Sequence, residues 1–284
     1  MENYEKIPAL RQKALVFREN IVTLAHKQVF GIHIGGGLSL AEILTCLYFD
    51  VANVDPANPN WEDRDRIVLS KGHGNVGLLT ILAMKGFFPF TVFEKFNEVG
   101  SYYSMHSDSH VPGVEHSAGS LGHGLSVAIG MALRAKRDKK TWHVYCILGD
   151  GESMEGSVWE ALMSGSHFNL NNLTAIIDRN HLSQEGTTAE TMKLEPLKEK
   201  GEAFGWSVFE VDGHNIKQLL EGFNADSGNK PKLIIANTIK GRGIDSLENI
   251  TKSHFGHLDK EQFELAIKTI NNERLKISGN TNGN

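Results

Sequence analysis

The stretches Val144-Tyr145-Cys146-Ile147-Leu148-Gly149-Asp150-Gly151-Glu152 and Leu173-Thr174-Ala175-Ile176-Ile177-Asp178-Arg179-Asn180-His181-Leu182 follow one pattern: an apolar run of strand length that ends in oxygen-bearing side chains. Asp150 and Asn180 lie thirty positions apart (180 − 150). Each stands just past a predicted strand. Between the runs, Gly156 to His167 reads as a helix, so the unit is strand, helix, strand, the pattern of a parallel pair with a crossover. One carboxylate and one carboxamide at adjacent strand ends could hold a magnesium ion against a diphosphate, because magnesium keeps phosphate and water among its ligands and needs few side chains. A plainer reading stays open at this point. Gly149-Asp150-Gly151 could be only a strand-to-helix turn, with Asp150 capping the helix that carries Trp159 and Leu162.

The same alternation extends outward. Leu15, Ile21, Val22, Leu24 and Ala25 recur at helical spacing, and a second helix is predicted from Ser39, a candidate N-cap, to Phe49. Asp55 to Asn60 reads as a loop. Arg66 to Leu69 is a strand followed by a helix from Val76 to Lys85, and the strand at Leu173 to Ile177 is followed by a helix from Leu194 to Phe204. Two further strands are predicted at Ser207 to Val211 and Lys232 to Ala236, and a last helix from Lys260 to Arg274. The predicted fold is α/β, a doubly wound and mostly parallel sheet with helices on both faces. One domain over 1–275 is expected, with a disordered tail at 276–284. Glycine, 29 residues in all, gathers at element ends, where a doubly wound sheet collects ligands.

Composition narrows the function classes. The chain has 284 residues, 40% hydrophobic and 22% charged, with a net charge of −5, so it can bury a sizeable core and lacks the basic footprint of a nucleic-acid binder. The charged N-terminus and the lack of a long apolar run predict neither a signal peptide nor a membrane span, and a cytoplasmic location. Cys46 and Cys146 fall in apolar segments, where free thiols behave as small hydrophobes. His106 and His110 have the spacing of a zinc-ligand pair, but their surroundings read as loop, and no zinc site is expected.

With the Gly-Asp-Gly to Asn pair in view, the chain resembles the cofactor-binding half of the transketolase family. The likeness is carried by Gly149 to Ala161, Leu69-Ser70-Lys71-Gly72-His73-Gly74, Pro112-Gly113-Val114-Glu115, Gly119-Ser120-Leu121-Gly122-His123-Gly124-Leu125-Ser126 and Lys240-Gly241-Arg242-Gly243-Ile244. These segments span about Gly31 to His257. The resemblance implies thiamine diphosphate with Mg2+, or Ca2+ or Mn2+ in its place, as cofactor. It implies Asp150, Asn180 and the Leu182 carbonyl as metal ligands, and Gly119 and Gly151 beside the cofactor. Leu121 and Gln184 would pack on the thiazolium ring, Lys240 would lie near the diphosphate, and Glu155 would sit at a subunit interface.

Four histidines form the second implied group. His33, His73, His106 and His254 match positions that line the cofactor and contact the sugar, and imidazole, titrating near neutrality, can donate or accept a proton there. His26, His110, His143, His167 and His181 are read as ordinary. His123, Ile32 and Arg179 depart from the family pattern and leave the substrate open. The activity implied is transfer of a two-carbon ketol unit from a ketose, phosphorylated in the usual case, to an aldose. Related readings are a deoxyxylulose-phosphate synthase or 2-oxoacid dehydrogenase component, or a noncatalytic cofactor-binding partner. The glutamate that activates the cofactor in this family lies on a second, pyrimidine-binding domain, for which the chain has no room after Lys240. The expectation is therefore the N-terminal subunit of a split transketolase, assembled two and two with a C-terminal companion.

Overall fold

In the computed structural model, which describes residues 4–280, β1 (Arg66–Leu69), β2 (Val144–Gly149), β3 (Leu173–Arg179), β4 (Ser207–Asp212) and β5 (Lys232–Asn237) form a sheet in the order β1-β2-β3-β5-β4. Every neighbouring pair is parallel. The strands are short runs rich in Val, Ile and Leu, as expected where a sheet is covered on both faces. Their period of two sorts the side chains into separate cores. Ile67, Leu69, Tyr145, Ile147, Ile176 and Ile234 pack on one face with α1 (Ile7–Lys27), α2 (Ile34–Leu38), α3 (Ala41–Cys46), α4 (Asn75–Lys85), α9 (Ile216–Asn224) and α10 (Lys260–Asn280). Val68, Val144, Cys146, Leu148, Ala175, Ile177 and Ile235 face α5 (Gly124–Arg137), α6 (Gly156–His167) and α8 (Leu197–Ala203) instead. A short helix, α7 (Thr188–Thr191), closes the loop after β3. Cys46 and Cys146 are both buried and unpaired.

Several sequence-based expectations need correction. Ser39 does not cap a helix: it ends α2, and its hydroxyl donates to Gly36 O and Asp178 Oδ2. The segment expected as one helix to Phe49 breaks into α3 and a wider turn over Leu47–Val51. Helix α8 starts at Leu197, not Leu194, because the ring of Pro196 disfavours helical backbone at the residue before it. Helix α10 continues to Asn280, so residues 276–280, expected as tail, are helical; 281–284 lie outside the described residues. Among the described residues, no helix is long and apolar enough to cross a membrane.

Candidate active site

Parallel strands bring their carboxyl ends to one edge, and the register pairs Gly149 with Asp178, so Asp150 leaves the sheet beside Arg179 and Asn180. Asp150 is 2% exposed. Its Oδ1 accepts from Gly151 N at 2.8 Å and its Oδ2 from His181 N at 2.6 Å, so one carboxylate ties the loop after β2 to the loop after β3. His181 turns the chain with a φ of +63°, a left-handed conformation rare for a non-glycine residue and found at sites where the surroundings hold it. Asn180 Oδ1 accepts from Leu182 N at 3.1 Å. The capping alternative fits poorly: Asp150 caps only the short turn Gly151–Met154, and α6 begins beyond it at Gly156. Burial, reinforced by Asp178, pushes the Asp150 carboxyl up to about 6.

A second layer of charge lies beneath. Asp178, fully buried, accepts from Lys71 Nζ, from Ser39 Oγ at 2.6 Å and from Thr238 Oγ1. Burial alone would raise its pKa, yet Lys71 and these hydrogen bonds hold it below the usual carboxylate range. Glu152 joins three segments by accepting from Ser70 Oγ at 2.5 Å, Gly122 N at 2.8 Å and Gly149 N at 3.0 Å. Ser70 Oγ in turn accepts from Gly124 N at 3.1 Å, and a Cβ on Gly124 would meet the Ser70 side chain at 2.5 Å. Only glycine permits that approach.

The four histidines, scattered from position 33 to 254, converge. His33 has ring centroids at 5.9 Å from His73, 5.6 Å from His106 and 5.3 Å from His254, and His73 lies 5.2 Å from His254. Burial, then the neighbouring cations and imidazoles, lower His33 and His254 to about 4 and His73 well below its ordinary value, so these rings are neutral near pH 7. The Nδ1 atoms of His33 and His254 are buried and have no hydrogen-bond partner. Lys240 Nζ donates to Ser183 O at 3.0 Å and lies 3.5 Å from Leu182 O; burial, then Lys71, lowers it to about 8.

A cleft of about 270 Å3 joins the two groups. It is lined by His33, His73, His106, Gly119, Leu121, Asp150, Gly151, Asn180, Leu182, Gln184, Lys240 and His254, and of the expected site residues only Glu155 stands outside it, exposed. Gly36 and Gly149, from the glycine clusters at element ends, also line it, as do Lys71, Glu152 and Ser183, to which the sequence assigns no role. The cue for Lys71 and Glu152 was their place inside the matched motifs. Of the departures, Arg179 turns to Glu195, Glu210 and Asn237, and Ile32 pairs its backbone with Gly256. His123 is exposed.

Residues 18–274 match the family model described as transketolase, thiamine diphosphate binding domain. The chain belongs to the transketolase family. An apulose-4-phosphate transketolase subunit of Phocaeicola vulgatus is 42% identical over 94% of this chain and 95% of its own length. The 6-deoxy-6-sulfo-D-fructose transketolase subunit SqwG of a Clostridium species is 40% identical over 93% of this chain and 97% of its own. Solved transketolases are similar as well: that of Campylobacter jejuni superposes with a TM-score of 0.82 at 27% identity, and that of Pichia stipitis with 0.85 at 28%. Here the match covers 95% and 92% of this chain but 48% and 40% of theirs, so the chain spans less than half of those transketolases. It is a transketolase enzyme subunit built on the diphosphate-binding domain.

Proposed function

We propose that this chain binds thiamine diphosphate and Mg2+ in the strand-end cleft and, with a companion subunit carrying the pyrimidine-binding domain, transfers a two-carbon ketol unit from a ketose to an aldose. The observation that carries this reading is the single cleft in which the Asp150 and Asn180 pair meets four histidines, two of them with an unpartnered buried nitrogen. The donor set suits the ion: one carboxylate, one carboxamide and the Leu182 carbonyl, all oxygens, leave coordination positions for diphosphate and water. A bound cation would favour the ionised form of Asp150, opposing the rise that burial imposes. Gly119 has nothing within 4 Å of its Cβ position, leaving room along the cleft wall.

Thiamine diphosphate, when bound, supplies a thiazolium carbon nucleophile for addition to a ketose carbonyl. This chain's residues supply the rest of the environment on this side. Lys240 places positive charge beside Leu182 and Ser183, where it can offset diphosphate charge. His33, His73 and His254, neutral and largely withdrawn from water, can each donate one N–H to an oxygen that gains charge and accept a proton from a neighbouring hydroxyl. His106, an exposed residue of the cleft lining that contacts His33, is the histidine a sugar would reach from solvent.

The companion is supported by the two relatives of matching length, each named as a subunit. Their names also specify a phosphorylated sugar and a sulfonated one, which favours a ketose with an anionic far end. The decisive experiment mixes this chain with its companion, thiamine diphosphate and Mg2+, and compares a ketose phosphate with pyruvate as donor. Ketol transfer from the ketose is expected, with no turnover by this chain alone. Consumption of pyruvate alone, or full activity without a companion, would overturn the reading. Cofactor binding has its own signature: a ligand at a hundredfold excess over its Kd should stabilise the fold by about 2.7 kcal/mol.

A further inference from the structure

His214 lies outside the cleft, in the turn between β4 and α9, yet its ring is tied into the segment that delivers Lys240. Its Nε2 accepts from Ile239 N at 2.8 Å, which leaves Nδ1 to carry the proton and donate to Glu42 Oε2 at 2.9 Å. Glu42 is held on both oxygens by Arg18, at 2.6 and 2.7 Å, and Arg18 Nε donates back to Arg242 O at 3.2 Å. The path is closed: Arg18, Glu42 and His214 grip the chain at Ile239 and again at Arg242, on either side of Lys240. A second contact bears on the same place. Gly213 N donates to Asn237 O at 2.8 Å, and a Cβ on Gly213 would stand 2.5 Å from Thr238 Cγ2, so the turn that carries His214 packs directly on the end of β5.

We infer that His214 is a positioning residue for the cofactor's diphosphate, fixing the Ile239 to Arg242 turn so that Lys240 reaches the loop after β3. The inference rests on the proposed function of the cleft. Unlike His33 and His254, His214 has both ring nitrogens satisfied within the chain, which suits a strut and not a group that waits for substrate. The Lys240 ammonium needs such support. Its two acceptors, Ser183 O and Leu182 O, belong to another strand's loop, so a shift of the turn would move the charge off its target.

Two variants separate the arms of the ring. In His214→Asn, the shorter amide can still donate to Glu42 but does not reach Ile239 N. In His214→Gln, the longer amide places an oxygen near the Nε2 position and can still accept from Ile239 N. In both variants Arg18 still holds both oxygens of the buried Glu42, which protects the fold. The full complex with its companion is titrated with thiamine diphosphate at fixed Mg2+, and hydrogen exchange of the 237–243 backbone is followed on the same samples without ligand. His214→Asn is expected to weaken binding about tenfold, the effect of one lost hydrogen bond, and to speed exchange at Ile239. His214→Gln should stay near wild type in both. Equal affinity and equal exchange in all three proteins would overturn the positioning role alone. Failure of the wild-type complex to bind thiamine diphosphate would overturn the function proposed for the cleft, and this inference with it.

Discussion

On the strand-end side of the cleft, Asp150 accepts two backbone N–H groups, Glu152 accepts from a hydroxyl and two backbone N–H groups, and Asp178 accepts from Lys71, Ser39 and Thr238. On the histidine side of the same cleft, His33 and His254 each bury an Nδ1 with no partner. The first side is complete before any ligand arrives. The second has two ring nitrogens that the chain itself does not satisfy. Buried polar groups are nearly always satisfied in folded proteins, so an orphaned pair in a cleft marks where binding energy is still to be gained. Under the proposed function, anchoring and reactivity are thus separated: the strand ends set position, and the less supported imidazoles are the groups that would meet the sugar.

The largest effects should come from breaking the finished side. Asp178→Ala would leave the Lys71 ammonium buried without its carboxylate, and removal of one partner from such a pair typically costs about 3–5 kcal/mol. Urea unfolding of the variant should show a loss of that size. A loss under about 1 kcal/mol would mean that the pair does not anchor the strand ends. Glu152→Ala is next, at roughly 3 kcal/mol, because it strands Ser70 Oγ, Gly122 N and Gly149 N where water reaches them poorly. Its midpoint in the same titration should lie between those of Asp178→Ala and wild type.

The two sides also differ in how well the sequence displays them. Strands are legible because each is an apolar run closed by glycine or a polar residue, and Asp150 and Asn180 stand at two such closures. The buried scaffold is not, because a lysine or aspartate in a motif looks the same whether it faces water or, like Lys71 and Asp178, contacts one across more than a hundred residues. Helices α5 and α9 do carry a local signal. Leu125, Ala128, Ile129 and Ala132 recur at helical spacing, and Asn215 caps Ile216, Leu219, Leu220 and Phe223, but glycine and short length mask both. The clustering of the histidines could be inferred only through the family resemblance, since no local pattern links position 33 to 254.

On the unfinished side, stability should respond little and activity greatly. His33→Phe removes an unpartnered buried nitrogen and keeps a planar ring, so the stability change should stay within about 1 kcal/mol of zero in either direction. Ketol transfer by the complex should fall by about a hundredfold or more if the imidazole moves a proton or supports developing charge. Measured kcat for the variant near that of wild type would remove His33 from the reacting group while leaving the anchoring side intact.

The smallest effect is a slope. His33 and His254 are lowered from 6.5 to about 4, by burial first and by neighbouring charges after it. Between those values the unfolded chain binds protons at both positions and the folded chain does not. Stability therefore falls as pH drops from about 6.5 toward 4, and these two groups add no further loss below that. Carboxylates contribute to acid unfolding as well, so the informative quantity is a difference between proteins. The thermal midpoint of the ligand-free His33→Phe/His254→Phe double variant should decline less steeply across this window than that of wild type. Parallel slopes in the two proteins would mean that the imidazoles are not held neutral by their burial, and the contrast between a completed anchor and a waiting reactive side would lose its electrostatic half.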